Sequence, residues 1–213
     1  MVKEKSPDST HNKTVLKAGY LAIVINLLLA VFKIAVGIIS GSLAVMSDAI
    51  HGLIDTLSGI IVVTSEKLGT SKKFNKDHEK IEHIGASLIA AIIIIVGIHI
   101  FIESIEKLIT PEEVEYSAPV IIVLIGSVVA KFLLGRYLKT TGTKVKSDTL
   151  IASSVETIND SIISGAVLLS ALIYLIWHIN LETYISIIIS IVIIKLGLEL
   201  IFSNFPHHHR RQK

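Results

Sequence analysis

Residues 15–64 read VLKAGYLAIVINLLLAVFKIAVGIISGSLAVMSDAIHGLIDTLSGIIVVT. They contain two apolar runs, 15–39 and 43–64, which are separated only by Ser40, Gly41 and Ser42. Each run has about 20 residues or more, the length at which an α-helix crosses the hydrocarbon core of a bilayer. Because three small residues form only a turn, the stretch predicts two transmembrane helices packed as a tight hairpin.

The rest of the chain repeats this pattern. Of its 213 residues, 51% are hydrophobic and 18% are charged, and the mean hydropathy is +0.69; soluble domains carry about 25% charged residues. Further apolar runs lie at 84–105, 118–138, 150–177 and 184–202. We therefore expect an all-α, multi-pass integral protein of the cell membrane. Its six transmembrane helices would form one domain, 15–204, between short tails at 1–14 and 205–213.

Composition excludes several classes of function. The chain has no cysteine, so disulfides, thiolate metal sites and cysteine nucleophiles are excluded, and any metal site must use His, Asp and Glu. The net charge of +2 is too small to indicate a nucleic-acid partner. No cofactor is expected.

The distribution of Lys and Arg predicts the orientation in the membrane. Four of the 20 lie before span one or at its start, five lie between spans two and three, four lie between the end of span four and the start of span five, and three follow span six. The opposite side has Lys107 alone, in a segment with Glu106, Glu112, Glu113 and Glu115. Since basic residues near span ends stay in the cytoplasm, we expect both termini to be cytoplasmic.

Ionisable residues inside two of the spans are the candidates for function. Span two carries Asp48, His51 and Asp55, which at 100° per residue fall at about 0°, −60° and −20° on one stripe of the helix. Span five carries Glu156 and Asp160, four residues apart and therefore on a common face. Such residues cost at least about 2.5 kcal/mol in a bilayer, so they are usually paired, hydrated or functional.

The two stripes are expected at the same depth. Counting 1.5 Å per residue, His51 and Asp55 lie about 12 and 18 Å below the outer surface. Glu156 and Asp160 lie about 9 and 15 Å above the inner surface of a core about 30 Å thick. Two oppositely directed helices would therefore bring His51, Asp55, Glu156 and Asp160 around one point near the midplane.

One imidazole and three carboxylates suit a divalent cation of intermediate hardness. Zn²⁺ fits this donor set, and Mn²⁺, Fe²⁺, Co²⁺ and Cd²⁺ are alternatives. Since the ligands must be deprotonated, metal binding should release protons, and exchange of protons for metal follows as a hypothesis. Asp48, one turn closer to the outer surface, is either a supporting partner or an entrance group.

Three other readings compete with a metal carrier. Polar residues can simply hold helices together by hydrogen bonds. An intramembrane metalloenzyme would need an open coordination position, and the zinc-protease-like sequence HEKIEH at 78–83 has its histidines five apart, not on one helix face. A passive channel would use weaker, multiple sites. We therefore expect a transporter and not an enzyme.

The sequence resembles the cation diffusion facilitators, which export divalent metals from the cytoplasm. NLLLAVFKIAVGIISGSLAVMSDAIHGLID at 26–55 is similar to their first helical hairpin, and LIASSVETINDSIIS at 150–164 to their fifth helix. There Glu156 stands where the family has His or Asp. DHEKIE at 77–82 resembles a loop motif that binds a second metal in some members. The resemblance implies export of a divalent metal, and members with one His and three carboxylates transport zinc and cadmium. Most members add a cytoplasmic dimerisation domain, which we do not expect here, and a homodimer is left open.

The other charges within the spans receive simpler interpretations. We expect Lys33 to reach outward or to cap carbonyl groups near the hairpin turn, and Lys131 to extend to the inner surface. Lys195 and Glu199 should pair across one helical turn. His99 and Glu103 are read as solvated at the interface, and His207, His208 and His209 as having no essential role.

Overall fold

A computed structural model describes residues 9–69, 76–110 and 113–204, and these residues form six α-helices without a strand. The helices are α1 (Ser9–Ser40), α2 (Leu43–Gly69), α3 (Lys76–Ile109), α4 (Ala118–Val145), α5 (Asp148–Trp177) and α6 (Glu182–Asn204). Each predicted span lies within one helix, so the all-α prediction is confirmed. The predicted tails, 1–14 and 205–213, lie largely outside the described residues.

Four helices among the described residues are long and apolar enough to cross a membrane: α1, α4, α5 and α6. Their outward faces are strongly apolar, with Ile122, Ile162 and Ile188 each more than 60% exposed. In a membrane protein such faces contact lipid, which is as apolar as they are. The prediction that α2 and α3 also span the membrane, and the predicted orientation, stay predictions.

The helices pack as three antiparallel pairs. The most extensive contacts join α1 to α2, α4 to α5, and α3 to α6, whereas α2 and α5 contact each other much less. The α1–α2 turn follows from its sequence, because Gly41 adopts a φ of +66° that favours glycine after a helix end. Ser42 N–H donates to the Gly37 carbonyl, 3.2 Å away, and closes the turn.

Glycines set the close approach within these pairs. A Cβ built on Gly135 of α4 would lie 2.6 Å from Ile158 Cγ1 and 3.3 Å from the backbone of α5. On the α3–α6 pair, a Cβ at Gly97 would lie 3.2 Å from the Ile194 nitrogen. Without a hydrophobic force between helices in lipid, such backbone contact is a main source of association.

A buried ion pair joins three helices between the centre of the bundle and the α1–α2 turn. Lys33 Nζ of α1 donates to Asp48 Oδ2 of α2 at 2.7 Å and to Ser164 Oγ of α5 at 2.9 Å. Ser164 Oγ donates to Asp48 Oδ1 at 3.1 Å. Lys33 is only 1% exposed, so the expectation that it reaches outward was wrong. The nearby opposite charge of Asp48 offsets the cost of burying it.

A second polar network closes the end of the bundle that contains the α1–α2 turn. Tyr116 donates to Glu182 Oε2 at 2.5 Å, and its oxygen lies 3.4 Å from Ser42 Oγ. Burial and the neighbouring Glu182 carboxylate raise the pKa of Tyr116 above its usual value, so it stays a neutral donor. Lys107 Nζ donates to the Gly41 carbonyl at 3.0 Å. These contacts connect the α1–α2 turn to the end of α3, to the segment before α4 and to the start of α6.

Two exposed pairs agree with the simpler interpretations of the sequence. Lys195 Nζ lies 3.5 Å from Glu199 Oε1, which confirms the predicted pair on α6. His99 Nε2 lies 3.8 Å from Glu103 Oε2, and both side chains are exposed on α3. Such exposed pairs contribute little to stability.

Replacing Gly135 with Leu should destabilise the α4–α5 pair. The new side chain would overlap Ile158 and the α5 backbone, and overpacking of this kind costs about 1–3 kcal/mol or more. Thermal unfolding of the purified protein in detergent measures the effect. Gly126→Leu on the same helix is the control, because nothing lies within 4 Å of a Cβ there; equal melting temperatures for the two variants would contradict the packing argument.

Replacing Lys33 with Met should leave Asp48 as an uncompensated buried charge, at a cost of about 3–5 kcal/mol. The double variant Lys33→Met/Asp48→Asn removes both charges and keeps a polar partner for Ser164. We expect it to recover most of the lost stability in the same unfolding assay. A double variant as unstable as Lys33→Met would show that the pair is not held by charge compensation.

Candidate metal centre

Three candidate ligands converge between α2 and α5. His51 and Asp55 come from α2 and Asp160 comes from α5, and one potential ligand atom of each lies within 4.8 Å of the others. His51 Nε2 is 3.1 Å from Asp160 Oδ1 and 3.9 Å from Asp55 Oδ1. All three side chains are buried. The predicted convergence of these two helices is therefore seen for three of the four residues.

The local sequence explains why α5 can approach α2. Its inward face carries small hydroxylated residues: Ser154, Thr157, Ser161 and Ser164. Three of these hydroxyls donate to a carbonyl on the preceding turn of their own helix, at distances of 2.6 to 2.8 Å. Because they are satisfied within α5, they make a compact face that leaves the carboxylate of Asp160 to project toward α2.

Glu156 lies beside this cluster and not in it. Its side chain is exposed, and it lines a cavity of about 50 Å³ together with Asp55, Asp160, Asn26 and Ser153. Glu156 is four residues before Asp160 on α5, one helical turn away. Of the four residues predicted as ligands, three thus lie close together and the fourth lines the neighbouring cavity.

Lys131 of α4 is a member of the site that the sequence interpretation missed. Its Nζ lies 3.1 Å from Asp55 Oδ2 and 3.2 Å from Asp160 Oδ2, and the side chain is 1% exposed. The expectation that it extends to the inner surface was wrong. The two carboxylates attract the ammonium inward, because an unpaired charge at this depth would be costly.

The cavity continues toward one end of the bundle through a second small cavity. An adjoining cavity of about 40 Å³ shares Ala22, Gly59, Leu138 and Ser153 with the first. It continues to Val15 and Leu150, near the start of α1 and the start of α5. The two cavities therefore lead from the cluster toward the end that the charge distribution predicts to be cytoplasmic, away from the Tyr116–Glu182 network.

Two buried polar atoms near the cluster have no hydrogen-bond partner within the part of the chain that the structure describes: His51 Nδ1 and Asn26 Oδ1. Buried polar atoms are normally satisfied, so both indicate a place where water or a bound species completes the bonding. Asn26 Oδ1 belongs to a residue that lines the same cavity as the acids. The Asn26 amide oxygen is therefore a potential metal ligand in addition to the carboxylates.

The remaining candidates do not join this centre. Asp48 accepts hydrogen bonds from Lys33 and Ser164, so it supports the helix packing and is not placed as a metal ligand. The side chains of the DHEKIE motif at 77–82, and His207 to His209, lie outside the described residues.

The donor set can bind a divalent cation. An imidazole nitrogen with two close carboxylates and a third nearby is a set that first-row divalent metals accept. Its four potential donor residues would complete a tetrahedral shell without an open position for a substrate. The arrangement thus fits a binding site for a cation that passes through the protein.

Comparisons with known proteins agree with this geometry. Residues 19–207 match the family model described as the cation efflux transmembrane domain. The chain is 30% identical over 198 residues to the manganese efflux system protein MneP of Bacillus subtilis, covering 87% of this chain and 65% of that protein. It is 27% identical over 190 residues to an uncharacterized transporter of Methanocaldococcus jannaschii, covering 88% and 67%.

A third relative, the magnetosome protein MamB of Paramagnetospirillum magneticum, is 26% identical over 179 residues, covering 81% of this chain and 60% of MamB. The chain thus spans 60 to 67% of the length of these three relatives. The family is one of transporters, which confirms the expectation that the chain is not an enzyme. With its apolar helices and its match over 19–207, this chain is a multi-pass membrane protein that belongs to the cation efflux transmembrane domain family, as the resemblance to the cation diffusion facilitators implied.

Proposed function

We propose that this chain is the transport domain of a carrier that exports a divalent metal cation from the cytoplasm. The cation binds between α2 and α5, with His51, Asp55, Glu156 and Asp160 as ligands. One observation carries the proposal: the potential ligand atoms of His51, Asp55 and Asp160 lie within 4.8 Å of one another, buried in the centre of the bundle. Burying such a group inside a membrane protein costs free energy, so ionisable residues at this depth usually have a function.

The positions of the cavities suggest which state of the carrier the structure represents. The cavities lead from the cluster toward the starts of α1 and α5. The opposite end is closed by the Lys33–Asp48–Ser164 and Tyr116–Glu182 contacts. With the predicted orientation, this is a state closed to the outside, and release of the metal requires those two networks to separate. During transport of the bound metal, the open end of the carrier would close and the closed end would open.

Protons are the proposed counter-cargo. His and carboxylate ligands bind metal only in their deprotonated forms, so metal and protons compete for one site. A ligand shifts a conformational equilibrium only by its different affinity for the two states. Protonation of the ligands on the outer side would therefore release the metal and return protons inward.

Zn²⁺ is the first candidate for the cargo, because four ligands including one imidazole form the tetrahedral shell that it prefers. Mn²⁺ is a second candidate for two reasons. The Bacillus subtilis relative is a manganese efflux protein, and the carboxylates with the unpartnered Asn26 oxygen make an oxygen-rich site of the kind that suits Mn²⁺. Fe²⁺, Co²⁺ and Cd²⁺ remain alternatives for the same ligands.

Asp160→Asn should abolish metal binding while leaving the protein folded. The substitution keeps the size of the side chain and removes the charge that both His51 and Lys131 contact. Isothermal titration with Zn²⁺ and with Mn²⁺ in detergent measures binding, and we expect at least a hundredfold loss of affinity for the transported metal. Glu199→Gln, at an exposed carboxylate of α6, is the control. Affinity within about threefold of the unaltered protein would contradict the proposed site.

The affinity for metal should fall as the pH is lowered. Between about pH 7.5 and about pH 5.5, protonation of imidazole and carboxylate ligands competes with metal, and we expect at least about a tenfold weakening. Binding should also release protons into a weakly buffered solution. An affinity that does not change with pH, with no proton release, would argue against proton exchange and leave the metal site itself intact.

Metal identity can be decided by competition. Proteoliposomes loaded with a fluorescent metal indicator should report uptake of the cargo, and each of Zn²⁺, Mn²⁺, Fe²⁺, Co²⁺ and Cd²⁺ is added in turn as competitor. We expect Zn²⁺ to compete best; Mn²⁺ as the best competitor would identify the second candidate as the cargo. Selectivity need not follow the general order of metal affinities, because geometry and ligand type also decide it.

A further inference from the structure

Lys131 and the bound metal would have to use the same two carboxylates. Asp55 and Asp160 each direct Oδ1 toward His51 Nε2, at 3.9 and 3.1 Å, and Oδ2 toward Lys131 Nζ, at 3.1 and 3.2 Å. A cation held by His51 and the Oδ1 atoms therefore shares both acids with the ammonium. The two positive charges are neighbours in a buried site, where repulsion between like charges is poorly screened.

From this geometry we infer that Lys131 is a built-in counter-cation, which occupies the two carboxylates when the carrier is empty and is displaced from them when metal binds. This inference rests on the proposed function, because it assigns a regulatory role within the same site. It adds a residue of α4 to a site whose ligands come from α2 and α5.

The empty carrier needs such a group. After the metal leaves, two buried carboxylates remain 8% or less exposed, and moving them through the closed intermediate of a transport cycle without compensation would be costly. A carrier must cross between its two states both loaded and empty. The Lys131 ammonium supplies positive charge for the empty crossing, and the metal supplies it for the loaded one.

The same group should weaken metal binding. Binding must break two contacts, to Asp55 Oδ2 and Asp160 Oδ2, and must tolerate a second positive charge beside the ammonium. By linkage, whatever stabilises the empty site relative to the loaded one lowers the affinity of the metal by the same factor. A carrier benefits from this, because a metal held too tightly would not leave.

A role as counter-cation and a purely structural role predict opposite changes in metal affinity when Lys131 is removed. Removing a lysine that merely holds α4 against α2 and α5 would loosen the site and weaken metal binding. Removing a competing cation should strengthen metal binding, although the metal-free protein becomes less stable. Net transport and metal exchange should also separate, because only net transport includes the empty crossing.

The test compares Lys131→Met with the unaltered full chain. Zn²⁺ and Mn²⁺ binding is measured by titration in detergent, and transport is measured in proteoliposomes. We expect Lys131→Met to bind the transported metal at least tenfold more tightly. Net efflux should fall at least tenfold, whereas exchange of labelled for unlabelled metal across the membrane should fall much less, because exchange does not include the empty crossing.

Three further variants complete the design. Lys131→Arg keeps the charge and should retain the original affinity and net efflux. Lys195→Met removes an exposed lysine of α6 that lies outside the cluster and outside both closing networks, and it should leave metal binding unchanged. Lys131→Gln removes the charge but keeps a donor toward the acids, and it gives the same measurement should Lys131→Met fail to fold.

The outcomes separate the two proposals. Unchanged or weaker metal binding in the neutral Lys131 variants, or equal losses of net efflux and exchange, would overturn the counter-cation role while Asp160→Asn still confirms the metal site. Equal metal binding by the unaltered protein and by Asp160→Asn would instead overturn the proposed function, and the role of Lys131 with it.

Discussion

The compensation of charge between His51, Asp55, Asp160 and Lys131 is the interaction on which the rest of this bundle depends. Four ionisable side chains from three helices are buried together, although the outward faces of the helices are largely apolar. Neither α2 nor α5 could keep its acids at this depth alone, because an isolated charge in a low-dielectric interior is unstable. The helices are therefore required to meet where their charges do, and the site and the fold share one cause.

Much of this architecture could be predicted from hydropathy and helical periodicity alone. The six apolar runs each lie within one observed helix. The i, i+4 spacing of His51 and Asp55, together with the similar depth of Asp160 on an oppositely directed helix, was enough to indicate convergence. What these patterns cannot supply is the exposure of each side chain: Glu156 was expected in the cluster, whereas its side chain is exposed and lines the neighbouring cavity.

The two buried lysines were misread because each was considered on its own helix. A single lysine in a span can always be given an outward path along its own flexible chain. Depth would have given a better prediction. Lys131 lies 13 residues into α4 and Asp55 lies 12 residues into α2, and both helices begin at the same end of the bundle. At 1.5 Å per residue these are about 20 and 18 Å from that end, so the cation and the acid are level with each other.

The pairing of the helices has a mechanical consequence. Close glycine contacts join α4 to α5 and α3 to α6, whereas the cluster sits across the sparser α2–α5 contact. Each antiparallel pair would then move as a stiff body, because sliding between pairs breaks fewer contacts than separating the two helices of a pair. The site thus lies at an interface between helix pairs, so small rigid rotations of the pairs would change the distances between its ligand atoms without unfolding any helix.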